Sequence, residues 1–131
     1  MHAELADQGH PDLRPAHGFA MQAIGSDGVT ATELARRLGI SKQAAGKTTD
    51  RLELLGYVHR VADRADARQK VIRLTPRGIE ALVRSAALFD AARAQWSTVL
   101  GPDRLAALED GLRAMAPDAR YRLDAAGWFG V

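Results

Sequence analysis

The run Thr30-Ala31-Thr32-Glu33-Leu34-Ala35-Arg36-Arg37-Leu38-Gly39-Ile40-Ser41 restricts the architecture of this chain more than any other segment. Thr30 with Glu33 at the fourth position forms a capping box, in which the hydroxyl and the carboxylate satisfy orphan amides at a helix start. Leu34, Ala35 and Leu38 then share one face. Gly39 permits a sharp bend because it accepts positive φ without steric cost, and Ile40 is expected to plug the core beside it. Ser41 caps a second helix expected from about Lys42 to Leu55. Two helices meeting at so tight a turn must cross steeply and share one small core.

The second helix carries Ala45, Thr48, Thr49, Leu52 and Leu55 at spacings suited to burial. Gln43, Lys47, Asp50, Arg51 and Glu53 are left for solvent or a ligand. Gly46 costs the helix about 1 kcal/mol relative to alanine, which close approach of a phosphate or a neighbouring helix would offset. After Gly56, the runs Tyr57 to Val61 and Lys70 to Leu74 alternate as strands and are expected to pair. Between them Asp63-Arg64-Ala65-Asp66-Ala67-Arg68 is too polar to bury and projects as a wing. Asp66 is placed to hold Arg64 and Arg68 through charge-assisted bonds. The expected fold is therefore mainly α with a small β-hairpin wing, a winged helix-turn-helix.

Helices flank this core. His2 to Gln8 can form a short one ended by Gly9 and Pro11, and Pro15 to Ile24 a second, with Phe19, Ala20, Ala23 and Ile24 apolar. Thr75 caps a long helix with Pro76 at its first position, running to about Leu100 with a stripe of Ile79, Leu82, Val83, Ala86 and Phe89. Gly101-Pro102-Asp103 breaks it. A last helix sets Leu105, Leu108, Leu112, Met115 and Ala119 along a seam, with Pro117 interrupting it. The small winged core needs little of these two helices, so the seam predicts a dimer. With 131 residues the chain suits a single domain: a core at 15–75 and dimerisation helices at 1–9 and 76–126.

Charge is unevenly divided. The formal net charge is +2, yet the segment Glu33 to Thr75 holds ten basic residues (Arg36, Arg37, Lys42, Lys47, Arg51, Arg60, Arg64, Arg68, Lys70, Arg73) against five acidic ones, and so carries +5 while the remainder carries −3. A basic surface confined to a helix-turn-helix and its hairpin points to nucleic acid. Other classes fall away. No apolar run reaches the roughly 20 residues of a membrane helix, and Glu4 and Asp7 stand where a leader would be basic, so a soluble cytoplasmic protein is expected. Cysteine is absent, which removes disulfides, thiolate metal sites and thiol redox switches. His2, His10, His17 and His59 lack metal-ligand spacing, no glycine loop cradles phosphate, and Ser41 is explained as a cap, so neither catalysis, a metal nor a cofactor is expected.

Thr32-Glu33-Leu34-Ala35, Gly39-Ile40-Ser41-Lys42-Gln43, Leu52-Glu53-Leu54-Leu55-Gly56-Tyr57-Val58, Asp63-Arg64-Ala65-Asp66-Ala67-Arg68 and Leu74-Thr75-Pro76-Arg77-Gly78 together resemble the MarR family of bacterial transcription regulators. The wing pattern followed one strand later by Leu-Thr-Pro-Arg-Gly is the specific part. The resemblance spans roughly Pro15 to Leu88, the last helix matching only in position and character. It implies a homodimer that reads double-stranded DNA, each recognition helix in a major groove and each wing in an adjacent minor groove, commonly as a ligand-responsive repressor on an inverted repeat. A family member usually begins with a longer helix than the residues before Gly9 allow, which shifts the expected interface toward the C-terminal helices, including Trp128 and Phe129. A small aromatic or anionic effector is also implied. His17, Phe19, Met21 and Trp96 lie where such a ligand would bind, but Phe19 and Trp96 read as core and His17 as surface, so no effector site is assigned.

The DNA-contacting residues assign themselves by type. Ser41, Lys42, Gln43, Lys47 and Arg51 occupy the recognition helix, where Gln43 can bond adenine bidentately and Lys47 or Arg51 guanine or phosphate. Arg64, Arg68 and Lys70 belong to the wing, with Arg68 expected to enter the minor groove and Asp66 to orient it. Thr32 is a phosphate candidate near a helix start. The rival reading is a winged-helix module for protein association without DNA contact, which steep salt dependence of DNA binding would exclude.

Overall fold

The computed structural model describes residues 2–115. In chain order the elements are α1 (His2–Asp7), α2 (Pro15–Ile24), α3 (Ala31–Leu38), α4 (Lys42–Leu54), β1 (Val58–Ala62), β2 (Lys70–Leu74), α5 (Pro76–Leu100) and α6 (Pro102–Met115). Pro117, Ala119, Trp128 and Phe129 lie outside the described residues.

Hydroxyl caps set three helix starts. Thr30 Oγ1 accepts the Glu33 amide at 3.2 Å, Ser41 Oγ the Ala44 amide at 3.1 Å and Thr75 Oγ1 the Gly78 amide at 3.1 Å. The expected capping box is only half made: the Glu33 carboxylate is taken by Arg36 and Arg37, which hold its pKa down at about 2. Two guanidiniums outcompete one backbone amide for a carboxylate because their bonds are charge-assisted. Gly39 ends α3 in the left-handed region, with φ 68° and ψ 32°, so the chain turns directly into the Ser41 cap.

The strands pair antiparallel with Val58 opposite Leu74 and Ala62 opposite Lys70. Val29 adds a bridge that the alternation pattern did not indicate: its N–H donates to the Ile72 carbonyl at 3.0 Å and its carbonyl accepts the Ile72 N–H at 2.7 Å. Leu34, Ala35, Ala45, Leu52, Ile24, Met21, Val58 and Ile72 converge on one core, closed by Ala81 and Leu82 of α5 and by Leu5 and Leu13 of the N-terminal segment.

Several apolar positions stand outside that core. Phe19 is 43% exposed, and Met21 and His17 take the inner face of α2 in its place. Ile40 does not plug the core but is 40% exposed, because Gly39 turns the chain outward before α4 begins. In α5 the buried set is Gly78, Ala81, Leu82, Ser85 and Ala86, so small residues let the helix lie close while Ile79, Val83 and Phe89 face away. Trp96 is likewise exposed, and in α6 only Leu105 is buried while Leu108, Leu112 and Met115 are open. Arg93 clasps Glu109 at 2.6 Å, tying α5 to α6. No helix among the described residues is long and apolar enough to cross a membrane.

Two histidines are built into the interior. His10 is 2% exposed, its Nδ1 lies 3.0 Å from the Tyr57 hydroxyl, and its Nε2 has no hydrogen-bond partner among the described residues. Arg77 stacks 4.8 Å above the Tyr57 ring and donates to the Gly9 carbonyl at 3.1 Å, sealing the N-terminal segment over α5. His17 Nδ1 accepts the Arg14 amide at 3.2 Å and so caps α2, contrary to its expected surface position. Burial depresses both pKa values, aided at His10 by Arg77 and at His17 by Arg14 and Arg51. Folding thus favours the neutral form of both rings, which charge more readily when unfolded. Their stabilising effect is complete above the ordinary value of about 6.5 and declines as pH falls below it. Urea titrations should show stability falling between about pH 6.5 and pH 5, each group contributing at most about 1.4 kcal/mol per pH unit. His10→Asn should reduce that slope; the same slope in the variant would remove His10 as its source.

Candidate nucleic-acid interface

The two-helix unit presents α4 with one face buried and one bare. Ala45, Thr49 and Leu52 are buried, with Thr48 and Leu55 half-buried beside them. Ser41, Lys42, Gln43, Lys47 and Arg51 are all exposed. Lys42, Lys47 and Arg51 have no ion-pair partner among the described residues. Gly46 lies amid them, and a Cβ there would meet nothing within 4 Å, so no neighbour in the fold rewards the glycine. Thr32 is exposed on the first turn of α3, whereas the Thr30 hydroxyl is occupied by its cap.

The wing is held by its own backbone. Asp63 N–H donates to the Gln69 carbonyl at 2.9 Å and Gln69 N–H to the Asp66 carbonyl at 3.0 Å, while Asp63 Oδ1 accepts the Ala65 amide at 3.1 Å. Asp66 Oδ1 accepts the Arg68 amide at 3.0 Å and faces Arg68 Nε at 3.4 Å. That places Asp66 as a local brace for Arg68, whose side chain remains 93% exposed. Arg64 takes no part in this brace: among the described residues it has no ion-pair partner, and the Asp66 carboxylate turns to the residue two positions after it. Lys70 opens β2 at the wing end of the hairpin, exposed and paired in register with Ala62.

One participant escaped the motif-based reading. Arg60, on β1, donates from Nη2 to Asp50 Oδ1 at 2.7 Å and from Nη1 to Glu53 Oε1 at 2.9 Å, and its backbone N–H reaches Glu53 Oε2 at 3.1 Å. The two acidic residues of α4 are therefore engaged rather than free. Asp50 and Glu53, three apart on a helix, were a visible signal of a shared partner. Which cation would meet them depended on how the chain reverses at Gly56.

Comparison with known proteins matches this arrangement. The MarR family model matches residues 12–69, from before α2 through the wing tip. The winged helix-turn-helix of this chain is similar to that of the MarR family. Among solved structures the reduced form of MarR from E. coli is 26% identical, with a TM-score of 0.70 over 88% of each chain. FabT of Streptococcus pneumoniae, in complex with DNA, gives a TM-score of 0.76 at 19% identity, covering 88% of this chain and 82% of that one. The S. aureus MepR–DNA complex gives 0.65 at 22% identity, covering 88% and 90%. No curated protein sequence matches the chain. The mainly helical fold with a two-stranded wing is thus that of MarR-family regulators.

Proposed function

We propose that this chain is a sequence-specific, double-stranded DNA-binding transcriptional regulator, a homodimeric repressor acting on an inverted-repeat operator. The observation that carries the reading is the bare cationic face: Lys42, Lys47 and Arg51 on α4 and Arg64, Arg68 and Lys70 on the wing are exposed, while the acidic groups of α4 are engaged. DNA in the FabT and MepR structures, which share this fold, supports it. Gln43 with Lys47 or Arg51 reads base edges in the major groove, Ser41, Lys42 and Thr32 contact the backbone, and Arg68, braced by Asp66, enters the minor groove.

The apolar residues exposed on α5 and α6, including Val83, Trp96, Leu108 and Leu112, support a second copy as partner. A two-fold dimer then reads two-fold DNA, with half-sites roughly 34 Å apart. Response to a small aromatic or anionic effector belongs to this proposal through the family resemblance alone.

Selection from a pool of random duplexes at low salt should recover an inverted repeat. Its affinity should fall roughly a thousandfold or more between about 50 and 200 mM salt, as for a protein making about six phosphate contacts. A chain that binds no duplex at low salt is not a DNA regulator. Arg68→Ala should weaken operator binding by about 1 to 3 kcal/mol without changing the unfolding midpoint, as for one charged groove contact; unchanged affinity would remove the wing from the mechanism.

A further inference from the structure

A helix that approaches phosphate is poorly served by carboxylates, yet α4 carries Asp50 and Glu53 within a turn of Lys47 and Arg51. We propose that Arg60 is a positioning residue for DNA recognition, which acts by cancelling both carboxylates at the back of the recognition helix. The proposal rests on the regulator reading above and assigns a residue that reading does not use.

The geometry is specific to arginine. One guanidinium spans two carboxylates on successive turns of α4, at 2.7 Å and 2.9 Å, through two different nitrogens. A lysine ammonium, being a single point of charge on a flexible stem, does not reproduce that fork. The Arg60 side chain is 29% exposed against 69% for Asp50 and 43% for Glu53, so the guanidinium lies between helix and strand. Glu53 also accepts the Arg60 backbone amide, at 3.1 Å. Arg60 stands opposite Ile72 in the hairpin register, and Ile72 is buried and bridged to Val29. The last turn of α4 is thereby coupled to the most deeply seated part of the hairpin, which keeps the guanidinium against both carboxylates.

Ion pairs this exposed add little to stability, so their effect should be read in DNA binding. Without Arg60, Asp50 and Glu53 face the phosphates uncompensated, and like charges brought together at an interface oppose association. The probe is the duplex that the wild-type chain selects from a random pool. Arg60→Gln should weaken binding about tenfold, and Arg60→Lys should fall between it and wild type. Adding Asp50→Asn and Glu53→Gln to Arg60→Gln should restore affinity to within about threefold of wild type, whereas adding Glu80→Gln and Asp110→Asn, which change net charge equally but lie on α5 and α6, should not. Asp50→Asn with Glu53→Gln in the wild-type background should bind at least as tightly as wild type, a test independent of how well Arg60→Gln folds.

Failure of the local pair to restore binding would mean that Arg60 itself touches DNA. Equal restoration by the remote pair would reduce the effect to net charge. Either result overturns the proposal, as does wild-type affinity in Arg60→Gln. A wild-type chain that binds no duplex instead removes the regulator reading, and this role with it.

Discussion

Gly78→Ala will destabilise the protein by about 3 kcal/mol, an overpacking effect at the upper end of the usual range. A Cβ at this position would lie 2.2 Å from the Tyr57 carbonyl oxygen and 3.2 Å from its carbon. Neither partner can give way. The Tyr57 carbonyl accepts the Thr75 amide at 3.0 Å, and the Tyr57 side chain is wholly buried. On the other side the Gly78 amide is held by Thr75 Oγ1, whose hydroxyl donates in turn to the Gly56 carbonyl at 2.6 Å. Moving α5 away would break its own cap. Denaturant titration at equal protomer concentration should show a lower midpoint with an unchanged m-value. Gly46→Ala, at a site with nothing within 4 Å, is the control and should gain up to about 1 kcal/mol from helix propensity. A loss below about 1 kcal/mol at Gly78 would mean that the start of α5 is softer than its contacts indicate.

Tyr57→Ala is expected to cost about 4 kcal/mol, the range for removing a buried aromatic ring. Among the described residues Tyr57 is the largest wholly buried side chain, and it packs where α4, β1, α5 and the N-terminal segment meet. Among the described residues its hydroxyl is also the one hydrogen-bond partner of the His10 ring, whose Nε2 has none. Tyr57→Phe keeps the ring and removes that bond, so it separates packing from polarity. It should cost about 1 to 2 kcal/mol, the range for leaving a buried polar group unsatisfied. If Tyr57→Phe costs as much as Tyr57→Ala, the hydrogen bond rather than the packing dominates. If it costs nothing, the His10 contact carries no net stability.

Much of the local structure was legible in the residues. The caps at Thr30, Ser41 and Thr75 are short-range chemistry, set by a hydroxyl and an amide three positions on, and each lies where the sequence indicates. The bounds of α2 and α5 follow from proline at the start and glycine after the end. The pairing of Lys70 to Leu74 with the preceding strand, and the Asp66–Arg68 contact at the tip, are likewise local. Which apolar residues enter the core was less legible. Helical spacing marks a stripe, but α5 lies so close to the core that alanine, serine and glycine occupy the contact, and Ile79, Val83 and Phe89 are rotated outward. Glu33 shows the same limit in electrostatics, since spacing alone did not decide between a backbone amide and two arginines.

By itself, then, the sequence determined where helices begin and end, that a charged hairpin follows the second helix of the turn, and that the cations cluster there. Those features depend on groups a few residues apart, whose geometry the backbone dictates. Only the tertiary structure decided that Arg60 meets Asp50 and Glu53, that Tyr57 is covered by His10 and Arg77, and that Gly78 cannot carry a side chain. Each is a contact between elements, fixed by how closely helices pack and where the chain reverses, and separation along the chain carries no record of either.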